Sequence, residues 1–217
     1  MSIIELLQQT FPRLMAGLGL TLEMTLISLL IAAVLGLLFG LMTVSKNIAI
    51  RGIARVYINI IRGTPIIVQA FFIYFGVTAA LGIRMESMTA SIITLSLNAG
   101  AYTAEIVRAG IQSVPNGQME AARSLGLPYT MAMRKVILPQ AIRTMIPTII
   151  NQCIITLKDS SILSVIGVME LTNTGKQIIA QNLQSFQMWL IVGVIYLIII
   201  MILTKISSTI EKRLNNY

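Results

Sequence analysis

No histidine occurs among the 217 residues, and the eight acidic residues are scattered along the chain. Metal centres and imidazole-based catalysis draw on such groups, so neither a metal site nor a catalytic residue is expected. Cysteine appears once, as Cys153 in an apolar run. One thiol cannot close an internal disulfide, and it reads as a small packing residue. A phosphate-cradling Gly-x4-Gly-Lys loop is also missing, because Glu170 stands where the first glycine would precede the only Gly-Lys pair, Gly175 and Lys176. The chain is therefore expected neither to hydrolyse ATP nor to hold a cofactor of its own. Charge is scarce at 11% of residues, against 56% hydrophobic, a balance outside that of soluble domains. The class is an integral membrane protein.

Apolar windows of about 20 residues place five spans, at 14–45, 64–83, 87–110, 144–168 and 187–206. The stretch from Met1 to Phe11 carries Glu5 rather than a basic leader region, so the first run is expected to stay as a span. Five crossings put the termini on opposite sides. With the C-terminus in the cytoplasm, the inner side holds twelve basic residues: Lys46, Arg51, Arg55, Arg62, Arg108, Arg123, Arg134, Lys135, Arg143, Lys205, Lys212 and Arg213. The outer side holds Arg13, Arg84 and Lys176. Cytoplasmic loops accumulate Lys and Arg, so the N-terminus is expected outside. A basic rim facing anionic lipid then accounts for the net charge of +8, and nucleic acid is not needed as a partner.

Polar residues inside spans face a cavity, another helix or a subunit seam. In the third span Thr94, Asn98, Tyr102 and Glu105 recur at steps of four, four and three, one helical stripe. In the fourth, Gln152, Thr156 and Asp159 share a stripe beside Asn151 and Lys158. Lys158 and Asp159 point about 100° apart, so each needs a partner elsewhere. Antiparallel runs put Asn98 and Asp159 at similar depth as a shared site, with Glu105 lower as a structural or gating carboxylate. Glu23, Glu105 and Asp159 against Lys158 alone favour a cationic or zwitterionic solute. Gly63, Pro65, Pro147 and Gly167 mark places where spans can bend.

The charged stretch EAARSLGLPYTMAMRKVILP, from Glu120 to Pro139, interrupts the apolar pattern. Glu120, Ala121 and Ala122 favour helix, Gly126 tolerates positive φ at a helix end, and Pro128 suits a helix start. The expectation is helix, sharp turn, helix. Pro139 and Pro147 are expected near the start of the next helix, where proline costs little.

This stretch resembles the EAA loop of ABC importer permeases: EAA, three residues, Gly, nine residues, then an Ile-x-Leu-Pro ending, with Val136 in place of the usual Ile. The stretches IIRGTPIIVQAFFIYFG (60–76), LSLNAGAYTAEIVRAGIQSVPNGQMEAARSLGL (95–127) and LKDSSILSVIGVMEL (157–171) are similar to permease subunits for polar amino acids. The resemblance implies an all-α integral membrane fold of five transmembrane helices, one domain over 1–217, with a cytoplasmic coupling helix inside 113–143. It also implies a second, identical permease subunit, with span one and its glycines Gly17, Gly19, Gly36 and Gly40 against the neighbour. A cytoplasmic ABC ATPase dimer would carry ATP and Mg and dock through Glu120, Ala121, Ala122, Gly126, Leu138 and Pro139. An extracytoplasmic amino acid-binding protein would deliver the solute in the bacterial cytoplasmic membrane. Arginine, lysine or histidine is favoured as the amino acid, with glutamine or cystine as the alternative. A gradient-driven secondary carrier and a nontransporting scaffold are the readings of another class, and the absence of an internal repeat weighs against the carrier.

Overall fold

A computed structural model describes residues 3–215, which form helices and short connections without a strand among them. Helix α1 (Ile3–Thr43) begins eleven residues before the expected span. At 1.5 Å per residue its 41 residues reach about 60 Å, twice the thickness of a hydrocarbon core. It must tilt or project beyond the bilayer. Helices α2 (Ile48–Arg62) and α3 (Ile66–Leu81) meet at a bend of 103°, followed by the central helix α4 (Ser87–Gln112). The short helix α5 (Asn116–Ser124) leads into the 38-residue α6 (Tyr129–Ile166), and α7 (Leu171–Asn182) and α8 (Ser185–Asn215) complete the bundle.

Helices α1, α6 and α8 are long and apolar enough to cross a membrane, and the bent pair α2–α3 adds a fourth unit if counted as one crossing. Helix α4 has the length, at 26 residues, but its threonines, asparagine and ion pairs keep it out of that set. The expected second span, 64–83, coincides with α3, which a 103° corner separates from α2. A straight window of hydropathy cannot see a corner.

Three apolar clusters run along the bundle. Leu6, Leu14, Leu171, Ile178 and Met188 join α1 to α7 and α8. Met24, Ala70, Leu95, Leu163 and Ile166 fill the middle, and Val107, Val114, Ile137 and Met145 tie α4 to α6 at the other end. The outward face of α1 leaves Leu26, Leu30, Val34 and Leu37 exposed, the surface expected of a helix solvated by lipid. Its polar residues Thr10, Thr21 and Thr25 return their hydroxyls to the carbonyl four residues earlier, so these three hydroxyls are not stranded in an apolar setting.

Gly36 and Gly40 of α1 lie against Thr103 and Val107 of α4, and Gly17 lies against Thr174 of α7. These glycines pack within the chain, and Gly19 faces open space. One of the two prolines departs from expectation. Pro139 stands in the first turn of the α-helical stretch Leu138–Asp159 of α6, as expected, whereas Pro147 sits inside it; a π-helical turn at Met133–Ile137 precedes Pro139. A π-turn loosens the ladder where a proline has no N–H to give, which lets the helix run on.

Replacing Gly36 by leucine should destabilise the protein, because a Cβ there would stand 2.4 Å from the Thr103 methyl and 3.3 Å from the Ala104 backbone nitrogen. The expected cost is about 1–3 kcal/mol, read as a lowered thermal unfolding midpoint in detergent. The same change at Gly19, which has nothing within 4 Å, should leave the midpoint in place.

Candidate functional site

The corner between α2 and α3 shapes the principal cavity. Where α2 ends, its last carbonyls run short of helical partners, and three of the four accept a bond within the corner. Gly63 donates its N–H to the Asn59 carbonyl at 2.9 Å, and the Thr64 hydroxyl donates to the Ile60 carbonyl at 2.9 Å. The buried Gln69 side chain reaches back from α3 and donates its amide to the Ile61 carbonyl at 2.7 Å and to the Thr64 carbonyl at 3.0 Å. Its own carbonyl oxygen accepts from the Asn98 amide at 3.1 Å. One glutamine thus closes the corner and joins it to α4.

Under this corner lies a cavity of about 630 Å³ lined by Arg62, the Gly63–Thr64–Pro65 turn, Asn98, Tyr102, Gln152 and Asp159. The Arg62 guanidinium stacks over the Tyr102 ring at 5.3 Å and pairs with Glu105 at 3.7 Å. Gln152 folds against its own helix, accepting the Thr156 hydroxyl at 2.9 Å through its backbone carbonyl. Asp159 has no hydrogen bond or ion pair to another described residue. The cavity therefore offers one fixed cation, one free carboxylate and neutral amides between them.

Asn98, Tyr102 and Asp159, expected to share a site, line this one cavity. The other three of the set lie elsewhere. Thr94 is fully buried and donates to the Ala90 carbonyl at 2.7 Å. Lys158 is exposed in a separate groove with Ser161, Thr172, Trp189 and Tyr196. Glu105 is held by Arg108, whose Nε donates to it at 2.9 Å and whose second nitrogen joins in a bidentate grip. Arg108 cancels its charge, leaving it as a brace for Arg62. Sequence reasoning missed Gln69 and placed Arg62 on the inner rim; the Arg-Gly-Thr-Pro run, an apolar-flanked arginine just before a helix-breaking pair, was the available signal.

A second built feature is the turn between α5 and α6. The Gly126 N–H donates to the Arg123 carbonyl at 3.0 Å and the Leu127 N–H to the Ala122 carbonyl at 3.2 Å. With Gly126 at φ +83°, this is the paired closure of a Schellman end. The Arg123 side chain adds a bond to the Leu127 carbonyl at 3.0 Å. Ala122 is buried, whereas Glu120, Ala121, Gly126 and Pro139 are exposed, Leu138 is half-buried, and Leu125 is 83% exposed. A braced turn holds an apolar side chain out into solvent.

The family model for the "binding-protein-dependent transport system inner membrane component" matches residues 32–216. The glutamine transport system permease protein GlnP of Escherichia coli (strain K12) is 42% identical over 204 residues, covering 94% of this chain and 93% of that protein. The arginine transport system permease protein ArtQ of Bacillus subtilis (strain 168) is 36% identical over 205 residues, covering 94% of each. Among solved structures, an amino acid ABC transporter with histidines superposes with a TM-score of 0.93 at 39% identity, covering 98% of this chain and 99% of that one. The MetNI methionine ABC transporter in inward-facing form shares the fold at a TM-score of 0.80 and 22% identity, covering 95% and 98%.

Changing Gln69 to leucine keeps the side chain's size and removes its amide, leaving the Ile61 carbonyl, the Thr64 carbonyl and the Asn98 amide without their partner. Each such group costs about 1–3 kcal/mol. The variant should show a lower unfolding midpoint and faster amide exchange in the turn at 62–65, measured by hydrogen–deuterium exchange.

Proposed function

The chain belongs to the binding-protein-dependent transport system inner membrane components, as an amino acid ABC transporter permease, and from this we propose that it forms the membrane pathway for a polar or basic L-amino acid in an importer driven by ATP. The observation that carries the reading is the single cavity holding Arg62 and Asp159 with Asn98 and Tyr102. An α-amino acid in water is a zwitterion. A guanidinium can take its carboxylate by paired hydrogen bonds, a carboxylate can take its ammonium, and amides and a phenol can read a polar side chain.

In this reading the chain crosses the bacterial cytoplasmic membrane five times, α3 and α4 included, with its N-terminus outside and its C-terminus in the cytoplasm. The α5 helix and its braced turn are the coupling helix, contacting a cytoplasmic ATPase dimer through Glu120, Ala121, Ala122, Gly126, Leu138 and Pro139. ATP and Mg are bound and turned over on that partner, and this chain supplies no cofactor of its own. A second copy completes the pathway, and an extracytoplasmic binding protein delivers the amino acid. Closure of the ATPase dimer moves the braced turn as a rigid lever on α6, which also carries Gln152 and Asp159. Helix α6 thereby links motion at the cytoplasmic end to solute contacts in the cavity.

The solute choice follows from charge. The acids within the spans favoured a basic amino acid, but Arg108 neutralises Glu105 and Arg62 enters the cavity, so a net-neutral amino acid such as glutamine fits the same contacts. Proteoliposomes containing the chain, its ATPase and its binding protein separate these cases. Accumulation of labelled arginine or glutamine that depends on internal ATP supports the importer and names the solute, whereas uptake driven by an ion gradient alone overturns it. Asp159→Asn and Arg62→Gln should each lower ATP-driven uptake about tenfold or more, the loss expected when a charged hydrogen bond goes, with the protein still inserted. Gly126→Val strains a φ of +83° and should abolish uptake while the chain stays in the membrane; normal transport by that variant would refute the lever.

A further inference from the structure

The charged residues that line the solute cavity are Arg62 and Asp159; Glu105 and Arg108 are not among its walls. Both are half-buried beside it on α4. Glu105, Arg108 and Gln112 follow at steps of three and four, which makes them neighbours on one helical face. Arg108 holds both oxygens of the Glu105 carboxylate, with Nε on one and a second nitrogen on the other, while its third nitrogen donates to the Gln112 side-chain oxygen. Arg62 approaches the same carboxylate from the end of α2, but only to 3.7 Å and only at the oxygen that Arg108 already grips. Two guanidiniums compete for one carboxylate, and Arg108 holds it.

That competition sets the charge of the cavity. A guanidinium carries five N–H donors and pairs best with a carboxylate through two of them at once. At 3.7 Å from Glu105, beyond hydrogen-bond length, Arg62 keeps its donors for a solute carboxylate and balances Asp159 across the cavity. Without Arg108, Glu105 would be free to take Arg62 by paired bonds. Arg62 would then turn from the cavity toward α4, and Asp159 would remain as the one uncompensated charge. We propose that Arg108 is a positioning residue for Arg62 and through it a determinant of solute charge: by occupying Glu105 it keeps the site suited to an amino acid of zero net charge rather than to a basic one. This role for Arg108 rests on the cavity being the solute site.

Equilibrium binding of labelled glutamine and arginine tests it on the full-length protein purified with its ATPase, without the extracytoplasmic binding protein, so that no other selectivity intervenes. The natural sequence should bind glutamine more tightly than arginine. Arg108→Gln should move the affinity ratio toward arginine by about tenfold or more, the worth of a charged hydrogen bond, whereas Arg108→Lys keeps the counter-charge and should hold most of the natural ratio. Adding Glu105→Gln to Arg108→Gln removes the carboxylate that captures Arg62 and should restore the preference for glutamine, a reversal that a merely structural loss would not produce. Thermal unfolding checks the fold of each variant. If Arg108→Gln does not fold, Glu105→Gln alone carries the test, because it leaves both guanidiniums without their counter-charge and should move the ratio further toward glutamine. A natural form that prefers arginine, or a ratio that these variants leave unchanged while glutamine still binds, overturns the role of Arg108 alone. Binding of neither amino acid by the natural form overturns the solute site, and the role with it.

Discussion

Breaking a helix frees carbonyl groups that an apolar interior cannot satisfy, and in this chain the Gln69 amide takes two at the break. Its bonds to the Ile61 and Thr64 carbonyls make the 103° corner affordable, and its bond to Asn98 fixes that corner against the central helix. Without the corner, Arg62 would continue along a straight α2 instead of entering the cavity over Tyr102. The cavity and its charge pattern both descend from one satisfied turn.

The close packing of α1 on α4 serves the same end by different means. Small residues at Gly36 and Gly40 bring backbones near enough for dispersion contacts to hold two helices that lipid would otherwise solvate equally well. Helix α4 is thereby kept in the centre despite a polar content that would make it costly at the lipid face. Its asparagine and tyrosine can then be spent on the cavity, and its glutamate on bracing an arginine.

The class, the helix–turn–helix around Gly126 and the two polar stripes that bring Asn98 and Tyr102 from one helix and Asp159 from another to one cavity were legible because each rests on local pattern: composition, a glycine with a defined backbone demand, and helical spacing. What stayed hidden depends on tertiary geometry. Spacing puts Thr94 on the stripe, yet its hydroxyl turns back to Ala90, since a threonine in a helix can always choose its own carbonyl. Counting charges inside spans left out Arg62, because a hydropathy window ends where a polar turn begins. Gln69 reads as one polar residue in an apolar run, and only the folded corner shows why a donor is needed there. Pro147 was similarly misplaced: it lies inside the helical stretch that Pro139 opens, and composition does not mark how far that helix extends before it.

That π-turn carries one more implication. A π-turn amounts to a single extra residue slipped into an α-helix, and one residue is about 100° of rotation. The stretch of α6 before Met133 and the stretch bearing Gln152 and Asp159 are consequently out of phase with an unbroken helix by more than a quarter turn. The angular relation between the exposed Leu125 turn and the carboxylate in the cavity is thus set by residue count rather than by any contact. In evolutionary terms, this helix is far less tolerant of a one-residue deletion than of most substitutions, because losing a residue at 133–137 would re-aim one end of the molecule relative to the other without altering a single side chain in either site.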